Sequence, residues 1–305
     1  MPELKRYRPD DLRRLGAELG AIAGLSPQRA ALFVGQLLWF DLGGTPEHGF
    51  GTLPTWLHRM EMGEVVPTAE GEILAERLGT AVLNGKQGVG PLVLSRAGEL
   101  AVEKSRDAAI GLVKVVGLSH AGPTGGVAAS LAVGPQACAI LGPGPAWSLA
   151  LPASEGPPAV YDSTLEASRS NLKAPKGEVE GSTRPGDGPP SPVASIPTWA
   201  PWAQALVPDG GYLVAVLGIR AFESLSVFHE RVTSLMQSVK TTPGCLTPDA
   251  WEASRARAFE HGLQMTGASW DQLLDRARRA GVSIPEPIPP SQGRRRPAGD
   301  TRRTP

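Results

Sequence analysis

The sequence predicts an α/β fold, and three observations predict it. Residues 80 to 117 read strand, helix, strand: a short β-like "TAVLNG", a proline-started helical stretch "PLVLSRAGELAVEKSRDAA", and the continuous apolar run "IGLVKVVG" suited to a buried strand. Three more short β-like runs follow in close succession, "ACAIL", "WSLALP" and "PAVYD". At 305 residues and 41% hydrophobic content the chain is long enough to bury a substantial core.

The elements can be justified in order. Residues 9 to 24 form an amphipathic helix begun by "PDD", whose acids suit the positive end of the helix dipole. A second helix starts at Ser26 as cap, with Pro27 in the first helical position, and Gly43-Gly44 stops it. A Gly/Pro-rich turn, "TPEHGFGTLPTW", comes next. After the strand at 110 to 117, "LSHAGPTGG" interrupts, and a small-residue helix runs near 124 to 133. Residues 172 to 205 are rich in Pro, Gly and Ser and read as an irregular linker. Beyond it "GGYLVAVLGIRAFESLSVFHERVTSLMQ" reads as one long helix, and "TPDAWEASRARAFEHGL" and "ASWDQLLDRARRAGV" as two more. The expected organisation is an N-terminal helical segment (1 to 78), an α/β cofactor-binding core (79 to 171), the linker (172 to 205), a C-terminal helical segment (206 to 283) and a disordered basic tail (284 to 305).

Charge and cysteine content narrow the function. Thirty basic and thirty acidic residues cancel, so no global field steers the chain to nucleic acid or an anionic membrane, and a small molecule or a protein is the expected partner. Cys138 and Cys245 have no paired spacing, which excludes a disulfide framework or a zinc knuckle. With no signal-peptide pattern and no apolar run of membrane-spanning length, the expected location is the cytoplasm.

The chemistry-bearing residues are few. His48, in the turn after the second helix, can act as a general acid or base because imidazole titrates near neutrality and a loop leaves it accessible; the plain alternative is a capping or solvent-facing histidine. His120 follows a buried strand and is flanked by small residues that permit close ligand approach, against the alternative of a turn histidine bonded to a carbonyl. "GLSHA" is similar to a nucleophile elbow around Ser119, but Ala121 replaces the second glycine and Pro123 stands where a helix should begin, so a hydrolase reading is poor. "GKQGVG" lacks the ending of a P-loop and the spacing of a dinucleotide fingerprint. Asp162 ends a strand, where it could orient a histidine. His48 and His58 lie ten residues apart in a proline-containing loop with no metal-binding pattern, and no metal is expected.

Taken together, the segments resemble the malate/L-lactate dehydrogenase family of the non-Rossmann type, which includes ureidoglycolate dehydrogenase and cyclic-imine reductases. The family's Asp-x-x-Gly-x-x-Ser-His-Gly-x-x-x-Arg-Leu-Pro-x-Tyr motif is followed in frame by "DLGGTPEHGFGTLPTW" from Asp41 to Trp56, and "AVLNGKQGVG…VVGLSHAG", "LALPASEGPPAVYDSTLEASR" and the C-terminal helices resemble later blocks. The resemblance implies a mostly antiparallel central sheet with flanking helices, NAD or NADP as cofactor, and a homodimer, or a heterodimer with a family relative. It implies His48 and Asp162 as catalytic-site residues and His120, Ser119, Gly122 and Gly144 as cofactor-pocket residues; Glu47, beside His48, is a further catalytic-site candidate.

Departures from the family pattern are concentrated in the pocket. Glu47 replaces the serine before the histidine, and Thr52 replaces the arginine that grips a substrate carboxylate; threonine cannot supply that bidentate, charge-assisted contact. "GPGPA" at 142 to 146 and "PDGGYL" at 208 to 213 also depart. The implied activity is therefore hydride transfer to or from a carbonyl, hydroxyl or cyclic-imine substrate in an altered pocket. The competing expectation is a catalytically inactive paralogue acting as a partner subunit or ligand binder. Glu47 beside the imidazole is expected to raise its pKa and hold it protonated.

Overall fold

The structure is a computed structural model that describes residues 5–118, 120–143, 146–165, 211–240 and 242–289. Strand β1 (Arg6–Tyr7) leads into helices α1 (Pro9–Ile22), α2 (Pro27–Leu42) and α3 (Leu53–Glu61). There follow β2 (Glu72–Glu76), β3 (Thr80–Asn84), α4 (Gly90–Ala108), β4 (Ile110–Val116), α5 (Gly125–Leu131), β5 (Gln136–Leu141), β6 (Trp147–Leu151) and β7 (Ala159–Asp162). From residue 211 on come β8 (Tyr212–Gly218), α6 (Leu225–Val239), β9 (Cys245–Leu246), α7 (Pro248–His261), β10 (Leu263–Gln264) and α8 (Ala268–Ala280). The linker read over 172 to 205 lies outside the described residues, as does the tail from 290.

Eight strands form one mixed sheet in the order β2-β3-β4-β8-β5-β6-β7-β9. Only β3 and β4 run parallel, joined by the α4 crossover; the other pairs are antiparallel, as the family resemblance implied. β1 and β10 pair separately, tying the two ends of the described chain together.

The long helix expected over 210 to 237 is a correction. Its first part, "YLVAVLG", is β8, which lies between β4 and β5, with Val214 opposite Val113 and Val216 opposite Cys138. Tyr212, Val214 and Val216 are buried on one face, so the segment has period 2, not 3.6. The helix begins only at Leu225, where the Ser224 side chain accepts from Val227 N. An apolar run of this length does not itself choose between helix and strand; two open sheet edges waiting for hydrogen bonds decided it.

The loop assigned to His48 and His58 is also corrected in part: His58 lies on α3. Leu53, Trp56, Leu57 and Met60 recur at helical spacing and are buried, with Pro54 in the first turn.

Two cores result. One lies between the sheet and the α4 and α5 helices, built from Leu83, Leu94, Val113, Val115, Ile140, Val214 and their neighbours. The other is helical, packing α1, α2, α3 and α8 through Leu12, Leu15, Phe33, Leu38, Leu53 and Leu273. Helix α2 serves both, sending Phe33 and Leu38 into the second core and Phe40 into the first. Its C-terminal end is therefore held from two sides, and the turn that carries His48 starts there. Among the described residues no helix is long and apolar enough to cross a membrane.

Candidate active site

The turn after α2 is built from the inside. Thr45 N–H and its hydroxyl both donate to Phe40 O, at 2.9 and 3.1 Å, which stops the helix. Two short 3-10 turns follow, Pro46–His48 and Phe50–Thr52, and lead directly into α3. Phe50, two residues past His48, is fully buried, which anchors the turn with an apolar side chain worth about 1.5–3 kcal/mol. Asp41 anchors it with a polar one: its buried carboxylate accepts from Phe50 N–H at 2.6 Å. The same carboxylate lies so close to Gly49 that a Cβ there would sit 2.1 Å from Oδ2, so only glycine fits beside His48.

Burial pushes the Asp41 carboxyl up to about 7; the Phe50 N–H opposes this and the Glu47 charge adds to it. The sign of the linkage follows. An acid whose folded value is raised binds more protons folded than unfolded, so its contribution to stability is full below its ordinary value of 3.8 and is lost as pH rises through about 7. Asp41→Asn is therefore expected to flatten the decline of Tm between about pH 4 and pH 7. Parallel Tm curves for the two proteins would count against this account.

His48 is half-buried, with its ring edge-on to Phe40 at 6.1 Å. Burial lowers its pKa, while the charges of Glu47 and Asp162 raise it; the net direction is down. Glu47 thus acts in the expected direction, but the expectation that it holds the imidazole protonated is corrected: desolvation outweighs it, because Glu47 itself is exposed and its charge is screened by water.

Asp162 ends β7 and is buried. Oδ2 accepts from Gly125 N–H at 2.7 Å, and Oδ1 accepts from Thr164 N–H at 2.9 Å and from its hydroxyl at 2.6 Å. A carboxylate gripped by three donors has a fixed position, and its field reaches His48.

His120 is exposed at one edge, and its ring lies against Trp56 of α3 at 5.4 Å and 34°. Partial burial, and then the nearby Arg59 cation, lower its pKa. The backbone beyond it is pinned by β8, since the Tyr212 hydroxyl accepts from Ala121 N–H at 3.1 Å. Burial raises the Tyr212 phenol, with the Ala121 N–H opposing. Gly122 has φ of +68°, a left-handed turn that bends the chain around Trp56.

These pieces enclose a cleft of about 610 Å³ at the junction of the two cores. His48, His120 and Gly122 line it together; Asp162 stands behind, and Glu47 is not among the lining residues. Ser119 and Gly144 lie outside the described residues. Sequence reasoning missed Asp41 as an anchor, Tyr212 and Arg59. Arg59 was findable once α3 was read as a helix, because Thr52, Thr55, Trp56 and Arg59 share its cleft-facing side.

Comparison with known proteins agrees with this architecture. Residues 7–134 match the family model described as malate/L-lactate dehydrogenase. The L-sulfolactate dehydrogenase of Methanocaldococcus jannaschii is 27% identical over 118 residues, which are 39% of this chain and 34% of that protein, so the match spans about a third of the relative's length. The solved malate dehydrogenase of Pyrococcus horikoshii superposes with a TM-score of 0.75 over 93% of this chain and 97% of that one, at 17% identity. Delta1-piperideine-2-carboxylate reductase of Pseudomonas syringae superposes with a TM-score of 0.66 over 90% of this chain and 100% of that one, at 15% identity. The N-terminal part of the chain, residues 7–134, thus resembles the malate/L-lactate dehydrogenase family in sequence, and the described residues share the fold of the solved malate dehydrogenase.

Proposed function

We propose that this chain is an NAD(P)-dependent oxidoreductase that transfers hydride to or from a carbonyl, hydroxyl or cyclic-imine carbon. The observation that carries the reading is the convergence of His48 and His120 on one cleft, with the fixed carboxylate of Asp162 behind His48.

The cleft fits such chemistry. Its volume lies within the range of small-molecule sites, and its walls are largely apolar, including Leu37, Phe40, Trp56 and Val127. Gln36 borders it, and the Gln36 Oε1 is a buried acceptor with no hydrogen-bond donor among the described residues, the kind of group that the carboxamide of a nicotinamide would satisfy. Gly122 and His120 would border the ring. The bound dinucleotide would supply the hydride acceptor or donor.

In the oxidative direction His48, neutral because burial depresses its pKa, takes the proton from the substrate hydroxyl. Asp162 favours the imidazolium that results, without itself needing to move. In the reductive direction His48 must first be protonated, so the rate is expected to rise as pH falls. The apolar walls limit water around the reacting carbon.

A cytoplasmic dimer, with itself or with a family relative, belongs to the same proposal; Phe222, Val227 and Leu235, exposed at and along α6, are apolar groups that a partner could cover.

The test is calorimetric titration with NADH and NADPH, followed by assays against malate, sulfolactate and a cyclic imine. Micromolar binding of either dinucleotide with turnover of one substrate class is expected. Binding of neither would overturn the reading and leave the non-catalytic paralogue in its place.

A further inference from the structure

Four titratable side chains line the cleft among the described residues: His48, His120, Arg59 and Tyr212. Arg59 alone is permanently charged, and no carboxylate lines the cleft. Helix α3 places Arg59 three residues after Trp56, so the guanidinium shares a face with the indole on which His120 rests. The hydroxyl-bearing Thr52 and Thr55 line the same wall.

The only ion-pair partner of Arg59 among the described residues is Glu64, with Oε2 at 3.8 Å from Nε. Glu64 is 64% exposed and Arg59 34% exposed, so this is a single long contact at the surface, of a type that contributes little and exchanges readily. A guanidinium offers paired donors in a plane that matches a carboxylate, sulfonate or phosphate. A cation facing a largely apolar cleft that has no carboxylate in its lining is best satisfied by such a group arriving with the ligand.

We infer that Arg59 and His120, which line the cleft beside Trp56, form a subsite for an oxyanion of the molecule that enters the cleft. The inference rests on the oxidoreductase reading only for the ligand's source: a carboxylate or sulfonate of the substrate, or a phosphate of the dinucleotide. It also couples binding to proton uptake. Arg59 is the one charged group acting on His120 among the described residues, and it disfavours the imidazolium; Tyr212, which holds the adjoining Ala121 N–H, is kept neutral by burial. An oxyanion that neutralises Arg59 therefore raises the affinity of His120 for a proton, and by reciprocity a lower pH tightens the anion.

The experiment is NMR titration of the His120 ring against pH in histidine-labelled protein, alone and with malate, inorganic phosphate, NADH or NADPH, beside calorimetric affinities for the wild type and Arg59→Gln. Arg59→Lys, which keeps the charge, serves as a second variant. The expected result is that at least one probe moves the His120 titration upward in the wild type, and that Arg59→Gln weakens that probe by at least about tenfold and abolishes the movement, with Arg59→Lys in between. Movement with malate but not with NADH or NADPH assigns the oxyanion to the substrate; movement with a dinucleotide or phosphate but not malate assigns it to a cofactor phosphate. A His120 titration unmoved by all four probes, or Arg59→Gln binding them as tightly as the wild type, would overturn the subsite. If dinucleotides bind without dependence on Arg59, the subsite falls and the oxidoreductase reading stands. If malate moves His120 while neither dinucleotide binds, the reverse holds.

Discussion

Replacing His48 with alanine is expected to lower the rate of hydride transfer by about 10²–10⁴-fold, the usual contribution of a positioned general acid or base, while leaving Tm nearly unchanged. The separation is specific to this turn. Its hold on the fold comes from Phe50 and from the Asp41 contact with Phe50 N–H, neither of which involves the imidazole. His48 contributes a half-buried ring edge against Phe40, which an alanine forfeits at small cost. The pH profile gives the second readout: reductive turnover by the wild type should fall as pH rises through a pKa lying below that of an ordinary histidine, and this limb should vanish in the variant. A variant that retains more than about a tenth of the wild-type rate, with the same pH limb, would remove His48 from the proton transfer.

Asp162→Ala should have the opposite balance, with a large loss of stability as well as of rate. The carboxylate is buried and accepts three hydrogen bonds, from Gly125 N–H, Thr164 N–H and the Thr164 hydroxyl. Removing it leaves the Gly125 N–H without its partner inside the fold, and bonds to a charged group are worth about 1.5–3 kcal/mol each, so a loss of about 3 kcal/mol is expected. Chemical denaturation measures it. Asp162→Asn separates the two roles: the amide keeps an acceptor for Gly125 but loses the charge, so it should cost less stability while lowering the His48 pKa further. An unchanged His48 titration in Asp162→Asn would show that the carboxylate serves the fold alone.

Much of this arrangement was legible in the residues. Ser26, Pro27 and Gly43 bracket α2, because capping and termination are local events decided within a few residues. The strand-helix-strand reading of 80 to 117 holds for the same reason: β3, α4 and β4 have clear apolar periodicity. His48 and His120 could be marked as candidates from residue type and turn context. Their shared cleft could not, since 71 positions of chain and a parallel crossover separate them. β8 was misread because its apolar run suits either periodicity, and Tyr212 was lost with it.

By itself the sequence determined the chemical inventory: an α/β chain with balanced charge, a histidine after a well-capped helix and a second histidine after a buried strand. Local physics sufficed for those, because capping, turn chemistry and apolar period act over neighbouring residues. Tertiary structure decided everything that depends on who is adjacent. It set β8 between β4 and β5, where unpaired backbone groups required a strand. It buried Asp41 behind the His48 turn, and it let desolvation overrule the Glu47 charge at the imidazole. It also turned Arg59 of α3 toward the cleft beside His120. Burial and electrostatics are properties of three-dimensional neighbours, and most of these neighbours are far apart in the chain.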